Sequence, residues 1–277
     1  MLQGMIEYLV LASAIFFFAF LIPWRGRGYF AILGWAAMIL FLIAEIPFYL
    51  SQNNILYPTI AILAIPFLYV TTRRLLAEDK AVLALTRAAA VAFLIYAPFG
   101  YYVPLGNWLI GVVTSQILWL LGVLGYPVTL LRWDLIGKDF YQIEIILACT
   151  GIQSIAIMLG VAAAVPTTLR QKVLAFLIVV PTIWVLNLFR NVFVIIAYTA
   201  QWFPFLPQIA SNGEYGYESF FWSHNIIAEG GALVALIAIA YGLFVIIPDL
   251  GDWAGDLYDL YTRDFARLVG RPGKGRD

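Results

Sequence analysis

The stretch VLAFLIVVPTIWVLNLFRNVFVIIAYT, residues 173–199, contains one charged side chain, Arg190, among 27 residues. About 20 apolar residues are enough to cross the hydrocarbon core of a bilayer as a helix. Because the bilayer offers no water to the backbone N–H and C=O groups, such a run must satisfy them within its own secondary structure. Several comparable runs follow one another along the chain. The sequence therefore predicts an all-α, polytopic integral membrane protein.

The overall composition supports the same class. The chain has 277 residues, of which 63% are hydrophobic and 12% charged, against roughly 25% charged residues in soluble domains. Sixteen basic and sixteen acidic side chains cancel, so nothing in the charge predicts a nucleic-acid partner. The single cysteine, Cys149, excludes an internal disulfide and a CxxC pair. We expect neither a metal nor another cofactor.

Seven runs are predicted to span the membrane, and one further region is harder to assign. Residues 105–124 are apolar, but they contain Asn107, Ser115 and Gln116 and are followed by a Gly-Tyr-Pro break. We expect this region to lie on the outer interface or to dip into the membrane and return. The predicted spans are residues 2–23, 29–50, 55–72, 82–102, 142–165, 173–199 and 223–247.

Basic side chains occupy alternate connections, which predicts the orientation of the chain. Cytoplasmic connections of membrane proteins are enriched in Lys and Arg. The pattern fits if the amino terminus is outside and seven helices cross; an eighth crossing arises only if residues 105–124 make two passes. The connections predicted to be cytoplasmic contain Arg25 and Arg27; Arg73, Arg74, Lys80 and Arg87; Arg170 and Lys172; and Arg263, Arg267, Arg271, Lys274 and Arg276.

The chain is predicted to form one transmembrane domain, residues 1–247, followed by a cytoplasmic tail, residues 248–277. The first helix carries Glu7 and no basic residue precedes it, so we expect it to be retained rather than cleaved. In the tail, apolar and charged residues alternate at helical spacing, which predicts an amphipathic helix on the cytoplasmic surface. The apolar members are Trp253, Leu257, Leu260, Tyr261, Phe265 and Leu268.

Three consecutive predicted helices each carry a narrow polar face. Such faces are expected to turn toward one another rather than toward lipid. Counted along the predicted helices, Cys149 lies about 10 Å and Arg190 about 14 Å below the outer end, while His224 lies near the outer rim. The faces contain Gln142, Cys149, Thr150, Gln153, Ser154 and Gly160; then Asn187, Arg190, Asn191 and Tyr198; then His224, Asn225, Ala228 and Gly231.

Cys149, Arg190 and His224 have side chains suited to acyl transfer. A thiol can act as nucleophile, a guanidinium can stabilise the oxyanion that forms, and an imidazole moves protons near neutral pH. Cys149 could instead be a packing residue and His224 an interfacial one. Arg190 is harder to explain structurally, because a charge at the centre of a membrane helix costs roughly 2.5–3.5 kcal/mol. The carboxylates Glu7, Glu45, Glu144 and Glu229 keep an ion-coupled transporter open as an alternative.

Three ordered motifs resemble the exosortase/archaeosortase family. They are Ala-Cys-Thr-Gly-Ile-Gln-Ser at residues 148–154, Asn-Leu-Phe-Arg at residues 187–190, and the later His224. The Pro-Leu-Gly-Asn-Trp stretch at residues 104–108 and the Gly-Tyr-Pro stretch at residues 125–127 are most similar to the archaeosortases. The resemblance covers residues 100–247, which it implies are the catalytic part.

This resemblance implies a membrane cysteine transpeptidase with Cys149 as nucleophile and Arg190 and His224 as its partners. Its substrates would be exported proteins with a carboxy-terminal sorting signal of the PGF type. The new carboxyl end would pass through a thioester to a membrane lipid amine, on the extracytoplasmic side of the cell membrane; hydrolysis by water is the alternative. Supporting or substrate-binding roles are expected for Thr150, Gly151, Gln153, Ser154, Asn187, Asn191, Asn225 and Glu229.

Overall fold

Six helices of the described chain are long and apolar enough to cross a membrane. The computed structural model describes residues 2–51 and 55–268; the predicted basic tail residues Arg271, Lys274 and Arg276 lie outside them. The membrane-length segments are Arg27–Ser51, Leu56–Leu76, Lys80–Tyr101, Val103–Val123, Leu169–Thr199 and Tyr217–Ile246. A further helix is apolar over residues 6–21. The predicted all-helical membrane architecture is thus confirmed, with a small sheet added.

The helices are α1 (Leu2–Leu21), α2 (Arg27–Ala44), α3 (Ile46–Ser51), α4 (Leu56–Leu76), α5 (Lys80–Tyr101), α6 (Val103–Val123), α7 (Ile152–Ala162), α8 (Leu169–Thr199), α9 (Pro207–Ala210), α10 (Tyr217–Phe220), α11 (Glu229–Ile246) and α12 (Asp249–Leu268). A 3₁₀ turn, Leu147–Thr150, precedes α7, and a π-helical segment, Phe221–Ala228, joins α10 to α11. The strands are β1 (Thr129–Arg132), β2 (Leu135–Lys138) and β3 (Tyr141–Glu144).

The region expected to lie on the outer interface or to dip into the membrane forms one membrane-length helix, α6. Pro104 lies in the first turn of α6, where its missing N–H is not needed. Ser115 Oγ donates to the carbonyl of Gly111 at 2.8 Å, and Gln116 accepts a hydrogen bond from Trp184 Nε1 at 3.0 Å. Because these polar groups have partners, they do not oppose helix formation in an apolar environment. Gly125, at φ +66°, follows the helix end.

The predicted continuous helix over residues 142–165 was wrong. This stretch contains β3, the 3₁₀ turn and α7, which has only 11 residues and so is about 16 Å long. Tyr141–Glu144 pairs with β2 rather than coiling, and Gly151 adopts φ +77°, which a helix does not accommodate. Consequently Gln142 and Cys149 do not share a helical face with Gln153 and Gly160.

The small sheet is antiparallel, in the order β1-β2-β3. An ion cluster stabilises it: Arg132 donates bidentately to Asp134 and also to Glu144 Oε1 at 2.7 Å. The Arg132 guanidinium holds the pKa of the Asp134 carboxyl below its usual range. Strands of four residues give little periodic signal, so the sequence did not predict them.

The chain divides into two compact units. The first contains the described residues within 1–95, 159–168 and 247–277. Its core includes Phe17, which packs edge-on against Trp35 with ring centroids 5.6 Å apart. The predicted tail helix is α12, and its apolar face joins this core through Leu260. Arg74 of α4 binds Asp264 of α12 bidentately at 2.7 Å, and this keeps the pKa of Asp264 low.

The second unit contains residues 96–158 and 169–246. Its core joins α6, the sheet and α8 through Val113, Ile117, Leu121, Ile136, Ile143, Ile145, Val192 and Ile195. Helices α6 and α8 run in the same direction, because Gln116 pairs with Trp184 and, further along both segments, the Tyr126 hydroxyl lies 2.7 Å from that of Thr199. The sheet therefore lies beside the carboxy-terminal end of α8. This end also carries the predicted polar residues.

We predict that Gly160→Leu destabilises the protein, because α7 and α5 approach closely at this glycine. A Cβ there would lie 2.4 Å from the carbonyl oxygen of Ala88 and 2.8 Å from Ala92 Cβ. Overpacking of this kind typically costs about 1–3 kcal/mol. Thermal unfolding in detergent measures the effect, with Gly111→Leu as the control since a Cβ at Gly111 meets no atom within 4 Å. Equal melting temperatures for the two variants would contradict the prediction.

Candidate active site

Cys149 lies in a closed 3₁₀ turn that the sequence builds locally. The Cys149 N–H donates to the carbonyl of Ile146 at 2.8 Å. Thr150 is fully buried; its hydroxyl donates to the carbonyl of Leu147 at 2.7 Å and accepts from the Ile152 N–H at 3.4 Å. The thiol itself is half-buried and unpaired by any disulfide. The turn thus presents one thiol just before the start of α7.

Two asparagines of α8 hold the backbone of this turn. Asn187 Nδ2 donates to the carbonyl oxygen of Cys149 at 2.7 Å, and Asn191 Nδ2 donates to the same oxygen at 2.8 Å. Residues four apart lie on one face of a helix, so both amides reach one acceptor. A carbonyl has two lone pairs, and both are used here. The position of Cys149 is therefore set by α8.

Gly151 allows the close approach of the turn to α8. Its φ of +77° is in the left-handed region, and a Cβ would lie 3.3 Å from both Cβ and Cγ of Asn187. Any other residue would meet backbone strain and crowd the asparagine that binds Cys149. Steric fit thus explains why a glycine occupies the last position of the Ala-Cys-Thr-Gly motif.

Arg190 lies one turn beyond Asn187 on α8 and is largely buried, with 16% of its side chain exposed. Its Nη2 donates to Glu229 Oε1 at 2.9 Å and lies 3.4 Å from His224 Nε2. Its Nε is buried without a hydrogen-bond partner among the described residues. Glu229 therefore offsets the charge, and only the Nη2 hydrogens of the five N–H groups are engaged by these two contacts.

The contacts of His224 favour one tautomer of its neutral ring. Its Nδ1 lies 2.8 Å from Asn225 Oδ1, an acceptor, which favours a proton on Nδ1. Nε2 then holds a lone pair on the side of Arg190 and can accept a proton. The ring stacks on Phe220, with centroids 4.9 Å apart and planes at 15°. Both rings adjoin the π-helical segment, a distortion that often occurs at functional sites.

These side chains meet at one cavity of about 370 Å³ within the second unit. Cys149, Arg190 and His224 all line it, and Gly151, Gln153, Ser154, Asn187 and Glu229 complete its polar wall. Gln153 also donates to the Tyr96 hydroxyl at 3.4 Å. The structure thus brings together the set that the sequence singled out. Three further predicted residues contact the residues that line the cavity, through the hydrogen bonds described above: Thr150, Asn191 and Asn225.

Sequence reasoning did not single out Ile146, Tyr96 and Phe220, which also lie at the site. Ile146 lines the cavity, and its carbonyl accepts from the Cys149 N–H, a backbone contact that no side-chain pattern could indicate. Tyr96 lies far from Gln153 in sequence. Phe220 could have been found, because it precedes His224 by four residues in an apolar helical run, a spacing that brings side chains together.

Comparison with known proteins shows what this chain is similar to. The family model described as the transmembrane exosortase matches residues 5–210. Archaeosortase A of Haloferax volcanii is 30% identical over 255 residues, covering 83% of this chain and 84% of that protein. Archaeosortase A of Natronomonas pharaonis is 27% identical over 231 residues, covering 77% of this chain and 73% of that protein. No solved structure matches the chain.

The family match includes Cys149 and Arg190 and ends before His224. The case for His224 therefore depends on its position in the cavity and on its order in the sequence, after the other two motifs.

We predict that Gly151→Ala makes Cys149 more reactive toward a water-soluble maleimide. An alanine at positive φ costs about 1–2 kcal/mol, and here it also displaces Asn187. If this cost favours local opening of the turn, alkylation accelerates roughly ten-fold. Cys149 is the only cysteine, so the labelling rate reports this site alone. Gly122→Ala serves as control, since no atom lies near a Cβ at that position; equal rates in both variants would refute the steric role of Gly151.

Proposed function

The chain belongs to the transmembrane exosortase family and is a multi-pass membrane sorting enzyme, and we propose that it acts as a cysteine transpeptidase with Cys149 as nucleophile. One observation carries this proposal: the only cysteine, the only histidine and a buried arginine line the same cavity. Such a convergence in an apolar chain has no evident structural use. It matches the parts needed for thiol-dependent acyl transfer.

His224 is the proton acceptor in this proposal. An unperturbed thiol has a pKa of about 8.5 and is mostly protonated at neutral pH, so it must lose its proton to become a nucleophile. His224 Nε2 is unprotonated in the tautomer set by Asn225 and receives that proton. Protonated Nε2 can no longer accept from Arg190 Nη2, and two cations then lie side by side. Glu229, which binds the same Nη2, offsets part of this charge.

The first chemical step forms a thioester. The Cys149 thiolate attacks the carbonyl carbon of the scissile peptide bond, and the carbonyl π electrons move onto oxygen to give an oxyanion. When this tetrahedral species collapses, the C–N bond breaks and the leaving nitrogen takes the proton from His224. The upstream part of the substrate stays on sulfur, and the downstream part leaves as a free amine.

Arg190 is the oxyanion donor. Its guanidinium lines the cavity, and its Nη2 is engaged by Glu229 and His224. The other nitrogens carry further N–H groups. A charge-assisted hydrogen bond to the oxyanion is stronger than one to the neutral carbonyl of the substrate, so the guanidinium stabilises the transition state more than the ground state.

The second step transfers the acyl group. A membrane lipid amine attacks the thioester carbonyl, the C–S bond breaks, and the amine proton returns through His224. An amide to the lipid forms and the Cys149 thiol is restored. Water in place of the amine would release a free carboxylate and make the enzyme a thiol protease. The two products differ by the mass of the lipid less one water.

The direction of α8 supports an extracytoplasmic site. Arg170 and Lys172 lie at the start of α8, and Arg190 follows Arg170 by 20 residues, about 30 Å along the axis. Basic helix ends favour the cytoplasm. The cavity, at the opposite end of the helix beside the sheet, then faces outward. This is the side on which an exported protein presents a carboxy-terminal sorting signal, here expected to be of the PGF type.

We predict that Cys149→Ala and Cys149→Ser both abolish processing of a tagged exported protein ending in the PGF motif, an apolar helix and a basic tail. Alanine has no nucleophile, and a serine hydroxyl is far less acidic than a thiol. Processing is followed by gel shift in membranes, and product mass spectrometry distinguishes lipid transfer from hydrolysis.

A matched control is Ser115→Ala, which alters a hydroxyl bonded only within α6 and should leave processing intact. Full processing by both Cys149 variants would exclude the thiol mechanism. A product with a free carboxyl end would be consistent with Cys149 as the nucleophile, but it would refute transfer to lipid.

A further inference from the structure

An aromatic column stands behind the imidazole of His224. Tyr141 of β3 packs against Tyr198 of α8 with ring centroids 5.0 Å apart. Tyr198 meets Phe220 of α10 edge-to-face, at 5.4 Å and 71°. Phe220 in turn stacks on His224 at 4.9 Å and 15°. The column therefore connects a strand, a long helix and a short helix to one imidazole.

The column fixes the position of the imidazole relative to α8, the helix that carries Arg190. Tyr198 follows Arg190 by eight residues on the same helix, α8, which is about 2.2 turns and roughly 80° around its axis. Tyr141 is held by the pairing of β3 with β2, opposite Lys138. A shift of His224 relative to Arg190 would have to disturb these ring contacts.

The contact with Asn225 alone does not fix the ring. Asn225 is exposed and adjacent to His224 in sequence, and one such hydrogen bond is worth only about 0.5–1.5 kcal/mol net. It selects which nitrogen carries the proton, but it leaves the ring plane free to tilt. A parallel aromatic neighbour opposes that tilt, because the rings would lose their stacked contact.

We propose that Phe220 is a positioning residue that sets the imidazole plane of His224, so that Nε2 points into the cavity shared with Cys149. The expected effect on catalysis rests on the proposed function. The expected effect on the orientation of the His224 ring does not depend on it. Once Nε2 is protonated, the negative face of the Phe220 ring also attracts the imidazolium. Phe220 touches neither thiol nor substrate in this role.

The test compares Phe220→Leu with Phe221→Leu, a neighbouring phenylalanine that packs against Trp222 instead, with centroids 5.6 Å apart. A misplaced catalytic group can cost about 100-fold in rate. We expect Phe220→Leu to lower kcat ten- to 100-fold with KM changed less than about two-fold, and Phe221→Leu to keep wild-type values. Phe220→Tyr, which retains the ring, should restore most of the activity.

A second readout does not depend on activity. His224 is the only histidine, so ¹⁵N-labelled imidazole gives signals from this residue alone. The wild type should show one protonated Nδ1 and one unprotonated Nε2, whereas Phe220→Leu should show averaged or broadened signals. If Phe220→Leu does not fold, Phe220→Met takes its place and is measured the same way.

Each result decides the proposal. Unchanged kcat and imidazole signals in the variant lacking the ring would overturn it, as would an equal loss of kcat in Phe221→Leu. If Cys149→Ala retains processing, the proposed function fails, yet changed imidazole signals in the Phe220 variant would still support the positioning role.

Discussion

Two hydrogen bonds to a single oxygen hold the site together: those from Asn187 and Asn191 to the carbonyl of Cys149. They join a short turn, which has little regular structure of its own, to a 31-residue helix. The same helix carries Arg190 between the two asparagines, so the thiol and the guanidinium share one frame of reference. Gly151 is required because any larger residue would push the turn away from these amides.

Placing an arginine in such an apolar environment creates a second constraint. Its charge is offset by Glu229, and one Nη2 serves both this carboxylate and His224. Within the described part of the chain, Nε is buried without a partner, which is costly in the resting structure. Donors already oriented toward the place where negative charge develops are the usual basis of transition-state stabilisation. The free-energy cost of placing Arg190 in an apolar segment is thus explained by its proposed role in stabilising the oxyanion.

Much of the architecture could be predicted because hydropathy and charge are local properties of the sequence. Long apolar runs identified most of the helices, and the amphipathic spacing of the tail identified α12. Hydropathy alone was not enough in two regions. In residues 105–124 the polar side chains argued against a membrane helix, yet Gln116 accepts a hydrogen bond from Trp184 within a membrane-length helix. In residues 142–165 hydropathy alone could not distinguish a helix from a strand, a turn and a short helix.

The composition of the candidate site was likewise accessible from the sequence, although part of the reasoning was wrong. Cys149, Arg190 and His224 were singled out by their rarity and cost in apolar segments, which the amino-acid sequence determines by itself. The tertiary structure decided what lies beside them: that Cys149 is held by α8 rather than by its own helix, which tautomer His224 adopts, and that Phe220 stacks behind it. The contacts that hold Cys149 join residues 38 and 42 positions apart, and no local pattern records such pairings because they arise only when elements of the fold pack together.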